Sequence, residues 1–224
     1  MVSRALRNRH AFWVLWIALA LAGAVLAVFA FSHLYFALDL RIAQAWQRLD
    51  PEPMEPVFWS LNTLNGEMRA AVALAVVGGG LLAMRPRVPL FLVAAMSAQG
   101  ANPILKELIA RPRPSALLVD VSEKTAGLSF SSGHTMNAVI FFGFLFFVID
   151  DVIASPRLRL AARTACALII VLTGPARVLS SAHWPSDVLG GYLFGALVLL
   201  PLVWMYRTVR SRQVAQQPFR SNIH

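Results

Sequence analysis

The chain has a single cysteine and few charged side chains. One cysteine excludes an intramolecular disulfide, and Cys166 lies inside an apolar run, where we expect it to pack between helices. Only 14% of the 224 residues are charged, whereas 58% are hydrophobic. Because a soluble domain of this size carries more charge, the composition predicts a membrane protein.

Acidic residues are also scarce, since 11 Asp and Glu face 20 Lys and Arg and leave a net charge of +9. Binding to nucleic acid would require the basic residues to gather on one soluble face. They lie instead in short segments between apolar runs, where Lys and Arg set topology and contact anionic headgroups. We therefore expect membrane lipids around the chain, no nucleic-acid partner and no obligate protein partner.

The apolar runs predict an all-α, polytopic membrane protein with six transmembrane helices. The predicted spans are 11–32, 66–84, 88–109, 132–151, 164–181 and 187–206. We interpret the first as a helix rather than a secretory signal peptide, because its apolar run is about 20 residues long and no convincing cleavage site follows it. Without internal repeats or low-complexity tracts, residues 1–224 are expected to form one domain, with its motif core at 106–187.

Arginine placement predicts the orientation, since cytoplasmic loops are enriched in Lys and Arg near span ends. Four arginine-rich segments fall on one side of the six predicted spans, and they are 4–9, 85–87, 157–163 and 207–220. Both termini are then cytoplasmic, and the opposite side carries a more acidic first loop, 50–55.

A short amphipathic helix is predicted between the first two spans. Leu38, Ile42 and Ala45 recur at helical spacing with Tyr35, Trp46 and Leu49, whereas Asp39 and Arg41 share the other face with Gln44, Gln47 and Arg48. This pattern is typical of a helix in the membrane interface. A segment packed on the outer end of the bundle is the alternative.

Lys106 and Arg113 form the first candidate site cluster, at the outer end of the third span. Pro112 disfavours helix at Arg111, so Lys106 lies on the last helical turns and Arg113 in an extended segment that can fold back. Charged residues beside apolar spans suggest function. Alone, however, such cations are more often headgroup anchors.

The second cluster is Ser131, Ser132, Gly133 and His134, where the fourth span begins. Either serine can cap the helix, Gly133 allows close approach of the backbone to a ligand, and the helix N-terminus favours an anion. An ordinary N-cap with an interfacial histidine explains the same residues.

Arg177, His183 and Asp187 form the third cluster, between the fifth and sixth spans. Pro185 suits the first helical turn, which places His183 before the last helix and Asp187 inside it. A carboxylate at this spacing can accept from one imidazole nitrogen and leave the other to attack. The predicted topology brings all three clusters to the same membrane face.

These residues resemble the motifs of the type 2 phosphatidic acid phosphatases, which share their site with vanadium haloperoxidases. The family pattern is Lys, six residues, Arg-Pro; then Pro-Ser-Gly-His; then Ser-Arg, five residues, His, three residues, Asp. The matching residues keep that spacing, and they are Lys106, Arg113, Pro114, Ser132, Gly133, His134, Arg177, His183 and Asp187. Two positions depart from the pattern, since Ser131 replaces the proline and Ala176 the serine.

The resemblance implies a metal-independent lipid phosphatase without a cofactor. His183 would attack phosphorus to form a phosphohistidine, Asp187 would orient His183, and His134 would act as general acid and then as base. Five further residues would hold the phosphoryl oxygens: Lys106, Arg113, Ser132, Gly133 and Arg177. Because Ala176 lacks the hydroxyl of the family's serine, one hydrogen bond to phosphate would be missing, at a cost of about 1 kcal/mol.

Three alternatives remain open. The two histidines and Asp187 could bind zinc, although three nearby cations would repel the ion. A transporter or lipid-binding protein could use the basic pocket only to hold a headgroup. A phosphotransferase could pass the same phosphoryl group to another lipid or a sugar.

The resemblance to compact bacterial members implies a bacterial inner membrane protein with its site on the periplasmic face. Undecaprenyl diphosphate, phosphatidylglycerol phosphate and phosphatidic acid are then the expected substrates. Lys124, in the outer loop, could contact a second phosphate, but a solvated lysine explains it equally well.

Overall fold

A computed structural model describes residues 9–48, 55–65, 73, 87–121 and 126–215 of the chain. Regular structure in these ranges is entirely helical. In chain order the helices are α1 (Arg9–Ser32), α2 (Ala37–Gln47), α3 (Glu55–Asn65), α4 (Arg87–Ala98), α5 (Ala101–Ile109), α6 (Gly133–Val152), α7 (Pro156–Leu179) and α8 (Pro185–Ala215).

Five stretches of the described residues are long and apolar enough to cross a membrane. Four of them are α1, α6, α7 and residues Pro185–Ser211 of α8, and the fifth combines α4 and α5 as Arg87–Ile109. Five of the six predicted spans are thereby confirmed as helices. The remaining predicted span, the second in chain order at 66–84, lies outside the described residues apart from residue 73.

Helix α6 forms the centre of the bundle. Its apolar window is 72% buried, against 11% for that of α1, which lies at the edge. Close approach between α6 and α8 depends on glycine: a Cβ at Gly191 would lie 2.8 Å from the Ser132 carbonyl oxygen, and one at Gly195 would lie 2.8 Å from Val139 Cβ. Small residues at this four-residue spacing let helix backbones touch in lipid.

The short helix predicted after the first span is α2, but it is oriented differently from expectation. Leu38, on the predicted apolar face, is 64% exposed, whereas Asp39, placed on the polar face, is only 3% exposed. The inner side of α2 packs through Ala43 against Val119 and Trp184. The helix therefore lies on the end of the bundle with Asp39 turned inward and Leu38 outward, whereas Arg41 and Gln44 are exposed as predicted.

Helix α3 was not predicted as a separate element, although its apolar character was visible in the sequence. Phe58 and Leu61 pack against Ala176 near the end of α7. This contact places α3 beside the segment that carries Arg177, so the helix supports one wall of the site.

Candidate active site

Backbone hydrogen bonds join the three predicted clusters at one end of the bundle. The N–H of Ser129 donates to the carbonyl of Arg111 at 2.8 Å, which ties the segment before α6 to the segment after α5. The N–H of Ser132 donates to the carbonyl of Asp187 at 3.0 Å, which ties the start of α6 to the first turn of α8. Residues distant in sequence thus share one site.

Local sequence explains why the chain turns at each cluster. Helix α5 ends at Ile109, and the C-cap residue Ala110 has a φ of 51° and donates its N–H to the carbonyl of Lys106. Pro112 keeps the following segment extended. After α7, Ser181 also has a φ of 51°, and the N–H of His183 returns to the carbonyl of Arg177 at 3.2 Å. His183 is therefore held against the last turn of α7.

The two ring nitrogens of His183 face opposite charges, and the side chain is only 2% exposed. Nδ1 lies 3.3 Å from Ser129 Oγ, and that hydroxyl donates to Oδ2 of Asp187. Nε2 lies 3.3 Å from Nη1 of Arg113, which also donates to the carbonyl of Ala182. Because Arg113 can only donate, Nε2 carries the lone pair and Nδ1 the proton.

The contact between His183 and Asp187 is less direct than the sequence suggested. Nδ1 lies 3.8 Å from Oδ2 of Asp187, which is too long for a hydrogen bond. The hydroxyl of Ser129 instead lies between them, accepting from the ring and donating to the carboxylate. Asp187 also accepts from the N–H of Trp184 at 2.9 Å and so caps its own helix.

Burial keeps His183 neutral. It lowers the pKa of His183 from 6.5 to about 3, against the raising effect of Asp187 and with smaller lowering effects of Arg113 and Arg177. A neutral imidazole is the nucleophilic form.

The three predicted phosphate-binding cations lie within electrostatic reach of one another. Lys106 interacts with the charges of Arg113, Arg177 and Asp187, and its Nζ donates to the carbonyl of Leu128 at 2.6 Å. Arg177 is buried at the end of α7. The structure therefore concentrates positive charge beside the ring of His183.

Ser132, Gly133 and His134 lie where predicted, at the start of α6. Ser132 occupies the N-cap position, but its side chain makes no capping bond and its Oγ accepts from Thr135 at 3.0 Å. His134, half-buried in the first turn, follows at the same end as Asp187. Its role as general acid stays a prediction.

Gly133 faces a buried residue that sequence reasoning missed, Asn102. With the Asn102 amide oriented so that both polar atoms are paired, its oxygen accepts from the N–H of Gly133 at 3.1 Å and its NH2 donates to Ser131. A Cβ at Gly133 would lie 2.7 Å from this amide. Glycine is thus required by packing, and the N–H predicted to bind phosphate has a protein acceptor.

Arg111, Asp39 and Ser129 are further site residues that the sequence did not single out. Arg111 is buried, with Nη1 2.6 Å from Oδ1 of Asp187. The alternation of arginine and proline at 111–114 was the available signal, but spacing alone does not tell which arginine turns inward. Among the described residues no group of three or more His, Cys, Asp or Glu has metal-binding geometry.

Comparisons with known proteins show the family of this chain. Residues 87–211 match the PAP2 superfamily. The chain is 35% identical over 99 residues to phosphatidylglycerophosphatase B of Bacillus subtilis, covering 43% of this chain and 47% of that protein. It is also 35% identical over 114 residues to lipid A 1-phosphatase of Rhizobium johnstonii, covering 48% of this chain and 42% of that protein. The chain thus spans less than half the length of either curated relative.

The fold has a close structural counterpart. The crystal structure of a transmembrane PAP2-type phosphatidylglycerolphosphate phosphatase from Bacillus subtilis superposes with a TM-score of 0.71 at 22% identity, covering 92% of this chain and 98% of that one. The family match spans more than half of the chain and includes every predicted site residue. The chain is therefore an all-helical membrane protein that belongs to the PAP2 superfamily.

Proposed function

We propose that the chain is a membrane lipid phosphatase that hydrolyses a lipid phosphate or diphosphate through a phosphohistidine on His183. The observation that carries this proposal is the asymmetric environment of the His183 ring. Its protonated Nδ1 is held by Ser129 in front of Asp187, while Nε2 faces Arg113. An imidazole fixed in this tautomer presents a lone pair towards a cation that can hold phosphate.

In the first step, the Nε2 lone pair of His183 forms a bond to the terminal phosphorus as the bond from that phosphorus to the leaving oxygen breaks, which is the alcohol oxygen of a lipid phosphate or the bridging oxygen of a lipid diphosphate. His134 gives its proton to the departing oxygen. In the second step, His134 takes a proton from water, the water oxygen attacks phosphorus, and the P–N bond breaks to release inorganic phosphate. Asp187 stabilises the positive charge that develops on the ring, acting through Ser129.

Phosphoryl transfer depends mainly on positioning and charge stabilisation. Lys106, Arg113 and Arg177 supply three positive charges beside His183. The same three cations argue against zinc at the histidines, because they would repel the ion.

A lipid substrate is supported by the surroundings of the site. Leu38 of α2, which is 64% exposed, lies at the same end of the bundle as His183. The relatives' names refer to phosphatidylglycerophosphate and lipid A, both phosphorylated lipids. We extend this to the candidates undecaprenyl diphosphate, phosphatidylglycerol phosphate and phosphatidic acid.

We place the site on the periplasmic face of a bacterial inner membrane, with both termini in the cytoplasm. The end of the bundle opposite the site carries Arg159, Arg163 and Arg210, which pair with Asp150 or Asp151. Arginine at that end is what the positive-inside rule expects of the cytoplasmic side.

Phosphate release from a panel of lipid phosphates and diphosphates, with and without chelator, tests the function. Wild-type protein in lipid nanodiscs should release phosphate and remain active with chelator. His183→Ala and His134→Ala should each lose about a thousandfold or more in rate while remaining folded. Binding without release would favour a lipid-binding protein, loss with chelator would favour zinc, and transfer to an added lipid alcohol without free phosphate would favour a phosphotransferase.

A further inference from the structure

A buried ionic cluster lies directly behind Asp187. Arg111 places Nη1 2.6 Å from Oδ1 of Asp187 and Nη2 2.9 Å from Oδ2 of Asp39. None of the three side chains is more than 3% exposed. A charge buried alone is costly, so each of these groups depends on the others.

The guanidinium of Arg111 is held on all of its sides. Its Nε donates to the carbonyl of Leu34 at 3.1 Å, Nη1 also donates to Ser186 Oγ at 2.7 Å, and its Cζ lies 4.7 Å from the centre of the Phe36 ring. A planar fork fixed in this way presents its donors in set directions. Arg111 therefore differs from Arg113, which lies beside the attacking nitrogen.

Asp39 connects this cluster to α2. Its Oδ1 accepts from the N–H of Ser186 at 2.8 Å, and its Oδ2 accepts from Ser186 Oγ at 2.7 Å and from the N–H of Phe36 at 3.1 Å. Ser186 immediately precedes Asp187 in the first turn of α8. A residue of α2 thus holds the turn that carries the catalytic carboxylate.

The two oxygens of Asp187 are divided between this cluster and the reaction. Oδ1 is engaged by Arg111, whereas Oδ2 accepts from Ser129 and from the N–H of Trp184. With Oδ1 fixed, Oδ2 can point only towards Ser129 and the ring of His183. Rotation of the carboxylate would break both the ion pair and the contact that orients the nucleophile.

We propose that Asp39 and Arg111 are positioning residues, which act through Asp187 to hold His183 in the attacking tautomer. This inference rests on the proposed phosphatase function for its kinetic consequences. It assigns to α2 a part in the reaction as well as a place at the membrane surface. Neither side chain is assigned a contact with substrate.

Kinetics of Asp39→Asn and Arg111→Lys test the inference. Asparagine keeps the shape of Asp39 without its charge, and lysine keeps the charge of Arg111 but cannot bridge two carboxylates. Each change should lower kcat about 10- to 100-fold, the size of effect that loss of an outer hydrogen-bond partner has on metal-ligating histidines. KM should stay within about threefold, because the phosphate-binding cations are unchanged.

Asp151→Asn is the matched control. Asp151 is also buried and paired with arginines, Arg87 and Arg210, but it lies at the far end of α6. Along α6, Asp151 lies roughly 27 Å from Gly133, which is at the site end of the helix. The control should keep kcat within about twofold, since it removes a comparable buried charge without touching Asp187.

Nitrogen-15 NMR of His183 in nanodiscs gives a readout independent of turnover. The wild type should show the Nδ1–H tautomer, and Asp39→Asn and Arg111→Lys should each populate the Nε2–H tautomer. If the wild type releases no phosphate, the proposed function fails and this comparison still decides the inference. If a variant fails to fold, Ser186→Ala replaces it, with an expected loss in kcat of about three- to tenfold.

An unchanged tautomer or an unchanged kcat in the folded variants would overturn the inference. A raised KM with normal kcat would do the same, because it would make Arg111 a substrate ligand.

Discussion

At the scale of single residues, the environment of one imidazole decides the chemistry. Ser129 and Arg113 contact the two nitrogens of His183 at 3.3 Å each, but the serine can accept a proton and the arginine can only donate. The guanidinium therefore selects the tautomer, because Nε2 must accept from Arg113, and the hydroxyl of Ser129 accepts from the protonated Nδ1. Ser129 bridges Nδ1 and the carboxylate of Asp187, which itself lies 3.8 Å from the ring nitrogen.

Ser129→Ala tests this indirect arrangement. Removing the hydroxyl breaks the path from His183 to Asp187 and leaves a 3.8 Å gap between Nδ1 and Oδ2. We expect kcat to fall about tenfold with little change in KM, and Ser129→Thr to restore most of the loss. Steady-state phosphate release measures both. A kcat for Ser129→Ala equal to that of the wild type would show that the hydroxyl is dispensable.

The protonation of His183 gives a second prediction. Because burial lowers the pKa of His183 to about 3, the ring should stay neutral from pH 8 down to pH 5. Labelled-histidine NMR in nanodiscs should show no titration of this ring in that range, and a midpoint near the ordinary value would contradict the proposed burial. Below about pH 6.5 the unfolded chain takes up a proton at His183 that the folded chain does not, so acidification progressively destabilises the folded state.

Residues with a motif could be predicted from the sequence, whereas their supporting partners could not. Spacing identified His183 and Asp187 because proline and helix geometry fix their relation locally. Arg111 and Asp39 are 72 positions apart, and their pairing depends on how α2 folds over the bundle end. A polar face on a short helix is normally solvated, so the pattern alone placed Asp39 in the wrong environment.

At the scale of helices, apolar length predicted most of the architecture, but packing set the details. The third span was expected to be continuous, yet it is divided into α4 and α5 at residues 99–100. The break directs Asn102 towards Gly133 and carries Lys106 to the site. Gly100 and Pro103 accompany the break, since proline has no N–H to continue the helix, but hydrophobic periodicity does not report it.

Gly191→Ala tests the contact between α6 and α8. The added methyl group would lie 2.8 Å from the Ser132 carbonyl oxygen and 2.9 Å from Thr135 Cβ, so the helices must separate. We expect a loss of about 1–3 kcal/mol in stability, with lower kcat because Asp187 and His134 move apart. Thermal unfolding in detergent and phosphate release measure the two effects. The control is Gly23→Ala in α1, whose nearest contact would be an ordinary 3.5 Å; equal effects of both changes would refute the explanation.

At the scale of the whole molecule, the chain divides its charges between two ends. One end gathers Lys106, Arg113 and Arg177 around His183, and the other gathers arginines that pair with Asp150 and Asp151. Both ends are basic, so net charge alone cannot orient the protein. The two ends differ in what their cations face. At the far end, arginines pair with Asp150 and Asp151, whereas at the site end the cations lie beside His183.

Cysteine labelling in spheroplasts tests the proposed orientation. The native Cys166 is buried within α7, and its replacement by alanine gives a background without reactive thiols. Leu117→Cys, at a position 95% exposed beside the site, should react with a membrane-impermeant maleimide in spheroplasts. Ala154→Cys, exposed in the connection between α6 and α7, should react only after permeabilisation. The reverse pattern would place the site in the cytoplasm, and reaction of both in intact spheroplasts would contradict a spanning α6, because these two positions lie beyond its opposite ends.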